Sequence, residues 1–277
     1  GFICRAIVSM YPNQKQYMLT FSLILFASEP AHAIFVMGQN SHWLLLSVLI
    51  GTIAIQKERW ILVALAISVL ALKPNWILLF ICWFIAERHF RVVAYLIGIG
   101  CLLLASTTWM GSQIWIDFFH SAKGYSELVA NNYPIASLVT NHSFVRSLGI
   151  DNPTLSNFAW VFLQGIAITG TLLVWRSKST VTTKVGVIVL ATITCNTYTN
   201  FYDTLLLTVP AMVWWFERTK YGPKCWWTIA FLLSATWLWL WMRVTIAVDT
   251  SYSPIGVILT LWIVAEALNA RLLNSNK

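Results

Sequence analysis

Apolar positions in this chain fall in long runs with few polar interruptions, and short polar turns separate the runs. The runs lie near 17–36, 42–55, 60–72, 76–86, 91–109, 156–175, 181–195, 204–216, 225–247 and 253–269. Helices that are apolar all round must be buried on every side, by lipid or by one another. The pattern predicts an all-α, polytopic transmembrane bundle of about 10 helices, with residues 1–11 as the tail of a further, partial one. Several runs are short against the ~20 residues that a span needs. Residues 60–86 can be read as one helix kinked at Pro74 or as a hairpin turning at Lys73-Pro74-Asn75. The basic turns on either side of that stretch favour the hairpin.

Composition sharpens this. Of 277 residues, 58% are hydrophobic and 10% charged, with a mean hydropathy of +0.70. A soluble domain carries roughly 25% charged residues, so lipid must cover the excess apolar surface. A net charge of +8 raises nucleic acid as a partner, but the charges are placed otherwise. Alternate turns are basic: Lys15; Lys57 and Arg59; Arg88 and Arg91; Arg176, Lys178 and Lys184; Arg218, Lys220 and Lys224; Arg271 and Lys277. The intervening turns hold only Lys73, Lys123 and Arg146. The positive-inside rule puts the basic set in the cytoplasm of a multi-pass protein of the plasma or inner membrane. Charge here encodes topology, and no nucleic acid is expected. Lys15, Met18–Ala27 and Ala31-His32-Ala33 mimic a signal peptide, but an apolar stretch precedes them and further spans follow. The chain opens on Gly and reads as one integral-membrane domain, 1–277, from which an N-terminal piece is missing. The five cysteines are scattered without metal or disulfide spacing. No HExxH, CxxC, Walker A or GxGxxG occurs, so no metal or cofactor is expected.

Sequence character concentrates on the turns opposite the basic ones: Gly38-Gln39-Asn40, Lys73-Pro74-Asn75-Trp76, residues 110–154, Asn196–Asp203 and Val248–Ser253. The stretch 110–154 is the longest and reads as an extracytoplasmic loop. In it Ile114, Trp115, Phe118 and Phe119 sit at helical spacing beside Asp117 and His120, which predicts a helix lying in the membrane interface. Asn131, Asn132, Asn141, His142 and Asn152 give the rest its polarity.

Gly38-Gln39-Asn40 before an apolar helix, then a basic turn, then a helix closing on Leu72-Lys73-Pro74, resembles glycosyltransferase family 87. So does Tyr198-Thr199-Asn200-Phe201-Tyr202-Asp203 before an apolar helix reaching Pro210, and Asn141-His142-Ser143 is similar to an Asn-x-Ser of some members. The resemblance implies a GT-C fold with an extracytoplasmic site. It implies transfer of a sugar, often mannose, from a polyprenyl-phosphate donor to a glycolipid or glycan acceptor. It also implies a catalytic carboxylate in the first outer loop, which would lie upstream of Gly1; Asp203 is the fallback within the chain.

Each candidate has a plainer role beside the functional one. Lys73 is a snorkelling lysine or a cation for the donor phosphate. Asp203 complements a helix dipole or binds sugar hydroxyls, with Tyr202 as a stacking face. Arg243, near the outer end of its helix, pairs with Asp203 or Asp249 or meets a lipid phosphate. Gln39 and Asn40 cap a helix or contact sugar and phosphate; Asn141 belongs to a chance sequon or to the site; His142 is an exposed loop residue or a proton shuttle. Transporters place polar groups at mid-membrane, whereas here they gather at one face, so a transporter stands behind the enzyme. A glycan polymerase or ligase, acting at the same face, is the nearer alternative.

Overall fold

The computed structural model describes residues 2–17, 38–109, 138–217, 223–245 and 252–275, with single positions between 20 and 36 and short stretches between 111 and 124. Within these, the side chains of 14–15, 241, 243–245 and 273–275 are not described. The described chain is helical, and its only β-pairing is one isolated bridge between Leu138 and Asn200.

The helices are α1 (Phe2–Met10), α2 (Ser41–Gln56), α3 (Trp60–Ser68), α4 (Pro74–Ala86), α5 (Phe90–Thr108), α6 (Asn141–Ser147), α7 (Pro153–Trp175), α8 (Val181–Cys195), α9 (Thr208–Phe216), α10 (Pro223–Thr245) and α11 (Ile255–Ser275). Tighter 3-10 turns cover Pro12–Tyr17, Val69–Leu72 at the end of α3, and Phe201–Leu207 leading into α9. Start signals sit where the chemistry asks for them. The side chains of Thr140, Asn152 and Thr180 accept backbone N–H groups of the first turns of α6, α7 and α8. Pro74 and Pro153 occupy first-turn positions, where a missing N–H costs nothing. The break between α3 and α4 falls at Lys73, whose backbone (φ −129°, ψ 89°) is far from helical. The residue before a proline avoids the helical region, so Pro74 places that break.

One hydrophobic core runs through helices from Ala6 to Ala270. At its centre stands α8, buried along nearly its whole length and packed against α7, α9, α11, α2 and α4. By contrast α5 buries only Val92 and Leu96 and leaves Ile97, Leu102, Leu103 and Leu104 exposed. An apolar helix with so bare a flank needs lipid against it. Among the described residues three helices are long and apolar enough to cross a membrane: Phe90–Thr108, Pro153–Trp175 and Ile255–Leu272. Five further apolar helices, among them Ser41–Gln56 and Val181–Cys195, are shorter than 18 residues. A helix rises 1.5 Å per residue, so these reach less far than the ~30 Å of hydrocarbon. Among the described residues length and composition thus carry three spans, and the count of about ten rests on the sequence pattern.

Two polar knots tie distant helices together away from Lys73. Glu217, buried after α9, accepts hydrogen bonds from Tyr11 Oη (3.1 Å) and Thr182 Oγ1 at Oε1, and from Thr180 Oγ1 (2.8 Å) at Oε2. Lys184 Nζ lies 2.5 Å from Glu87 Oε1 and joins the start of α8 to the end of α4.

Candidate functional site

Asp203 enters on the first turn of the 3-10 segment Phe201–Leu207, and at 1% exposure it is sealed from water. A carboxylate buried so deeply must be paired or hydrogen-bonded. Its Oδ1 receives Lys73 Nζ at 2.5 Å and Ser41 Oγ at 2.5 Å; its Oδ2 receives the Asn200 backbone N–H at 3.3 Å. Three separate parts of the chain meet on one side chain: the first turn of α2, the α3–α4 break, and the loop before α9.

The sequence explains each contribution. Pro74 ends α3 and leaves Lys73 outside both helices, free to turn its ammonium inward. Gly38 takes a left-handed conformation (φ 63°), after which Asn40 stands at the N-cap position of α2 and Ser41 opens the helix. The Lys73 side chain keeps 26% of its surface exposed, and its Nζ lies 5.0 Å from the centre of the Tyr202 ring. The Tyr202 hydroxyl accepts a hydrogen bond from Asn200 Nδ2 at 3.0 Å. Lys73 therefore has a carboxylate on one side, an aromatic face on another, and an open flank.

A cavity of about 730 Å³ begins at the residue after Asp203. Thr204, Leu205 and Leu207 form part of its wall, with Trp214 of α9 and Trp237 and Leu240 of α10. The lining is mainly apolar, with scattered hydroxyls such as Thr208, Ser234 and Thr236.

Asn141 and His142 reach this region by a second route. Val139 N–H donates to Thr199 O at 2.9 Å beside the Leu138–Asn200 bridge, so the strand before α6 lies along the loop that carries Asp203. Asn141 is fully buried and accepts Thr260 Oγ1 at 3.0 Å, which pins α6 to α11. His142 packs edge-on against Trp160 of α7, ring centres 5.4 Å apart. Burial, and then the charge of Arg146, lower its pKa below the ordinary histidine value.

The structure thus gathers Lys73, Tyr202 and Asp203, while Asn141 anchors α6 to α11 and His142, also on α6, packs against Trp160 of α7. Gln39 is half-buried, and its backbone N–H donates to Ile34 O at 3.1 Å; the Asn40 side chain makes no capping bond. Arg243 lies in the last turn of α10, but its side chain and Asp249 fall outside the described residues, as do Asn131 and Asn132. Asp203 has Lys73 as its cation. Residues 113–118 are helical, held by Gln113 Nε2 donating to Asp117 Oδ1 at 2.9 Å; Phe119 lies outside the described residues. Sequence reasoning missed Ser41, whose only signal is its place immediately after Gly38-Gln39-Asn40. It also missed Asn200, whose backbone rather than side chain holds the carboxylate. Among the described residues no group of three or more His, Cys, Asp or Glu side chains is placed to hold a metal.

Comparison with curated proteins and with solved structures returns no match. The family model for glycosyltransferase family 87 matches residues 2–197, a stretch that holds α1 through α8, Lys73 and the α6 motif. A match over that much of the chain, together with its apolar helices, decides the matter: the chain belongs to glycosyltransferase family 87 and is a membrane glycosyltransferase.

Proposed function

We propose that this enzyme transfers a mannose-like hexose from a polyprenyl-phosphate donor to a glycolipid or glycan acceptor. In this reading the fold is GT-C-like, the protein crosses the plasma or inner membrane many times, and the site opens on the extracytoplasmic face. The observation that carries the donor assignment is that the segment holding the charged pair runs straight into the wall of an apolar cavity, Asp203 being followed by Thr204 and Leu205 of its lining. A lipid-phosphate sugar has an anionic head and a hydrocarbon tail. Lys73, with its open flank, suits the head, and the 730 Å³ cavity lined by Thr204 and Leu205 suits the tail. An ammonium is a compact binder of phosphate.

Asp203 then serves as the anchor that holds Lys73 in place. Its two oxygens already take three donors, which leaves little capacity to accept a proton from an attacking hydroxyl. Tyr202 supplies an aromatic face beside the cation, and Gln39 and Asn40, just before Ser41, border the same edge. Arg243 is assigned to a lipid phosphate from its place on α10. Asn141 and His142 complete the proposed binding set.

The test is a transfer assay in nanodiscs with a radiolabelled polyprenyl-phosphate mannose as donor. The expected result is labelled lipid or glycan product that Lys73→Ala reduces by 10-fold or more. Product from a nucleotide-sugar donor alone, with Lys73→Ala fully active, would sink the proposal.

A further inference from the structure

Away from Lys73, a row of polar side chains is buried without being satisfied. His142 Nδ1, Trp160 Nε1 and Gln164 Oε1 are each shielded from water, and none has a hydrogen-bond partner among the described residues. Buried polar atoms are nearly always paired, so an orphan asks what completes it. These three are neighbours. Trp160 and Gln164 stand one turn apart on the same flank of α7, and the His142 ring packs on the Trp160 indole. The other end of the Gln164 amide is fixed, because Nε2 donates to Cys195 O at 3.0 Å where α8 ends.

The row also has a direction. One residue beyond Cys195, Asn196 Oδ1 accepts from Asn75 Nδ2 at 3.2 Å, and Asn75 is two residues past Lys73. From the His142–Trp160 contact, one turn of α7 leads to Gln164, and hydrogen bonds then tie Gln164 to Cys195 and Asn196 to Asn75 in the turn that carries Lys73. The two ends differ in chemistry. Around Lys73 the groups are a cation and a carboxylate. Between α6 and α7 they are a neutral amide oxygen, an indole N–H and an imidazole, with the Trp160 ring as the aromatic surface. Arg146, one turn on from His142, is the charged group that acts there.

We propose that His142, Trp160 and Gln164 form a second subsite, for a neutral hydroxyl-rich ring, and that it receives the sugar of the acceptor. This rests on the glycosyl-transfer reading above. A ring hydroxyl both donates and accepts, so it satisfies an amide oxygen and an indole N–H at once. Its C–H face packs against an aromatic. Sites for small molecules are built this way, mostly apolar with a few placed polar groups. Gln164 is the orienting residue, since its Cys195 bond aims the free oxygen, and Trp160 supplies the face. The subsite lies beside the donor site, at the distance spanned by the Asn75–Asn196 contact and the end of α8.

Two probes separate this subsite from the donor site: octyl α-mannoside, neutral, and octyl phosphate, charged. Both are titrated against the full chain in nanodiscs, with the indole 15N–1H signals as readout. Trp160→Phe assigns the Trp160 signal. Octyl mannoside is expected to shift that signal, and Gln164→Leu, of similar volume, is expected to weaken the effect at least 10-fold. Octyl phosphate is expected to bind with unchanged affinity in Gln164→Leu and to be lost in Lys73→Ala. A Trp160 signal that octyl mannoside leaves unmoved overturns the subsite and assigns the orphaned atoms to buried water. A signal moved equally by octyl phosphate overturns its neutral character. Octyl phosphate binding that ignores Lys73→Ala overturns the donor assignment and leaves the mannoside result to stand by itself. Thermal midpoints measured alongside show whether Gln164→Leu is folded. Should that variant unfold, Gln164→Glu, which keeps an oxygen but loses the Cys195 donor, is titrated in its place and is expected to lose mannoside while retaining octyl phosphate; unchanged mannoside affinity overturns the orienting role.

Discussion

Lys73 and Asp203 hold unequal positions. Asp203 is sealed and Lys73 keeps a quarter of its side-chain surface in contact with solvent. Losing the cation strands a buried carboxylate; losing the carboxylate frees an ammonium that can turn outward. Lys73→Met is therefore expected to destabilise the protein more than Asp203→Asn does. The cost is about 3 kcal/mol, the low end for broken buried pairs, because the ammonium is partly hydrated and Ser41 stays bonded. The double variant should cost less than the sum. Denaturant unfolding in detergent checks this, and additive losses would show that the two residues do not act as a pair. His142 gives a prediction in pH. Its pKa is lowered in the folded protein, so the unfolded chain takes up the proton first as pH falls. Above pH ~6.5 both states are neutral and nothing changes; below it the folded state loses ground until its own, lower pKa is reached. His142→Asn should therefore lose less thermal stability between pH 7 and pH 5 than the parent does.

At the scale of elements, α11 docks on the start of α6 through one glycine. A Cβ on Gly256 would stand 2.3 Å from the carbonyl carbon and oxygen of Thr140 and 2.5 Å from Asn141 N. All are backbone atoms and cannot swing aside. Gly256→Ala is expected to force α11 off α6, break the Thr260–Asn141 bond and cost about 1–3 kcal/mol, the range for overpacking a tight core. Gly165→Ala on α7, with nothing near its Cβ position, is the control and should be near neutral. This contact also marks the limit of what the sequence discloses. The helices were legible because apolar runs end at caps and prolines: the runs read at 181–195 and 60–72 coincide with α8 and with α3 plus its 3-10 turn. The break at Lys73 follows from Pro74 by local sterics. Ser41 on Asp203, Thr260 on Asn141 and the close approach at Gly256 depend on which helices pack together. No local rule encodes that, and hydroxyls and glycines in apolar runs look alike until the partner is known. Burial also depends on packing partners. A run such as 181–195 is as apolar as a span, yet its 15 residues are wrapped by other helices rather than by lipid.

At the scale of the whole molecule, polar residues at the ends of helices join segments far apart in the chain. Lys73 and Asp203 are 130 positions apart, and Tyr11 and Glu217 are 206 apart. The helix ends in the Lys73 cluster and those in the Glu217 cluster belong to opposite faces in the proposed topology. Cysteine labelling in a variant without native cysteines tests it: position 89 should label only from the cytoplasm, and a cysteine at position 75 only from outside. Labelling of both from one side would refute the arrangement.

The Glu217 cluster has a consequence for synthesis. A ribosome adds ~5–20 residues each second, so roughly 10–40 s separate the emergence of Tyr11 from that of Glu217. Once α2 has been made, α1 has that neighbour but not the carboxylate that fixes its end, and Thr180 and Thr182 still lack their bonds to Glu217. Nascent chains arrested shortly before residue 217 should leave Tyr11 open to protease, while chains arrested well past α9 should protect it. The Tyr11–Glu217 contact is thus a clock: the end of α1 stays unfixed until a residue 206 positions later has been made.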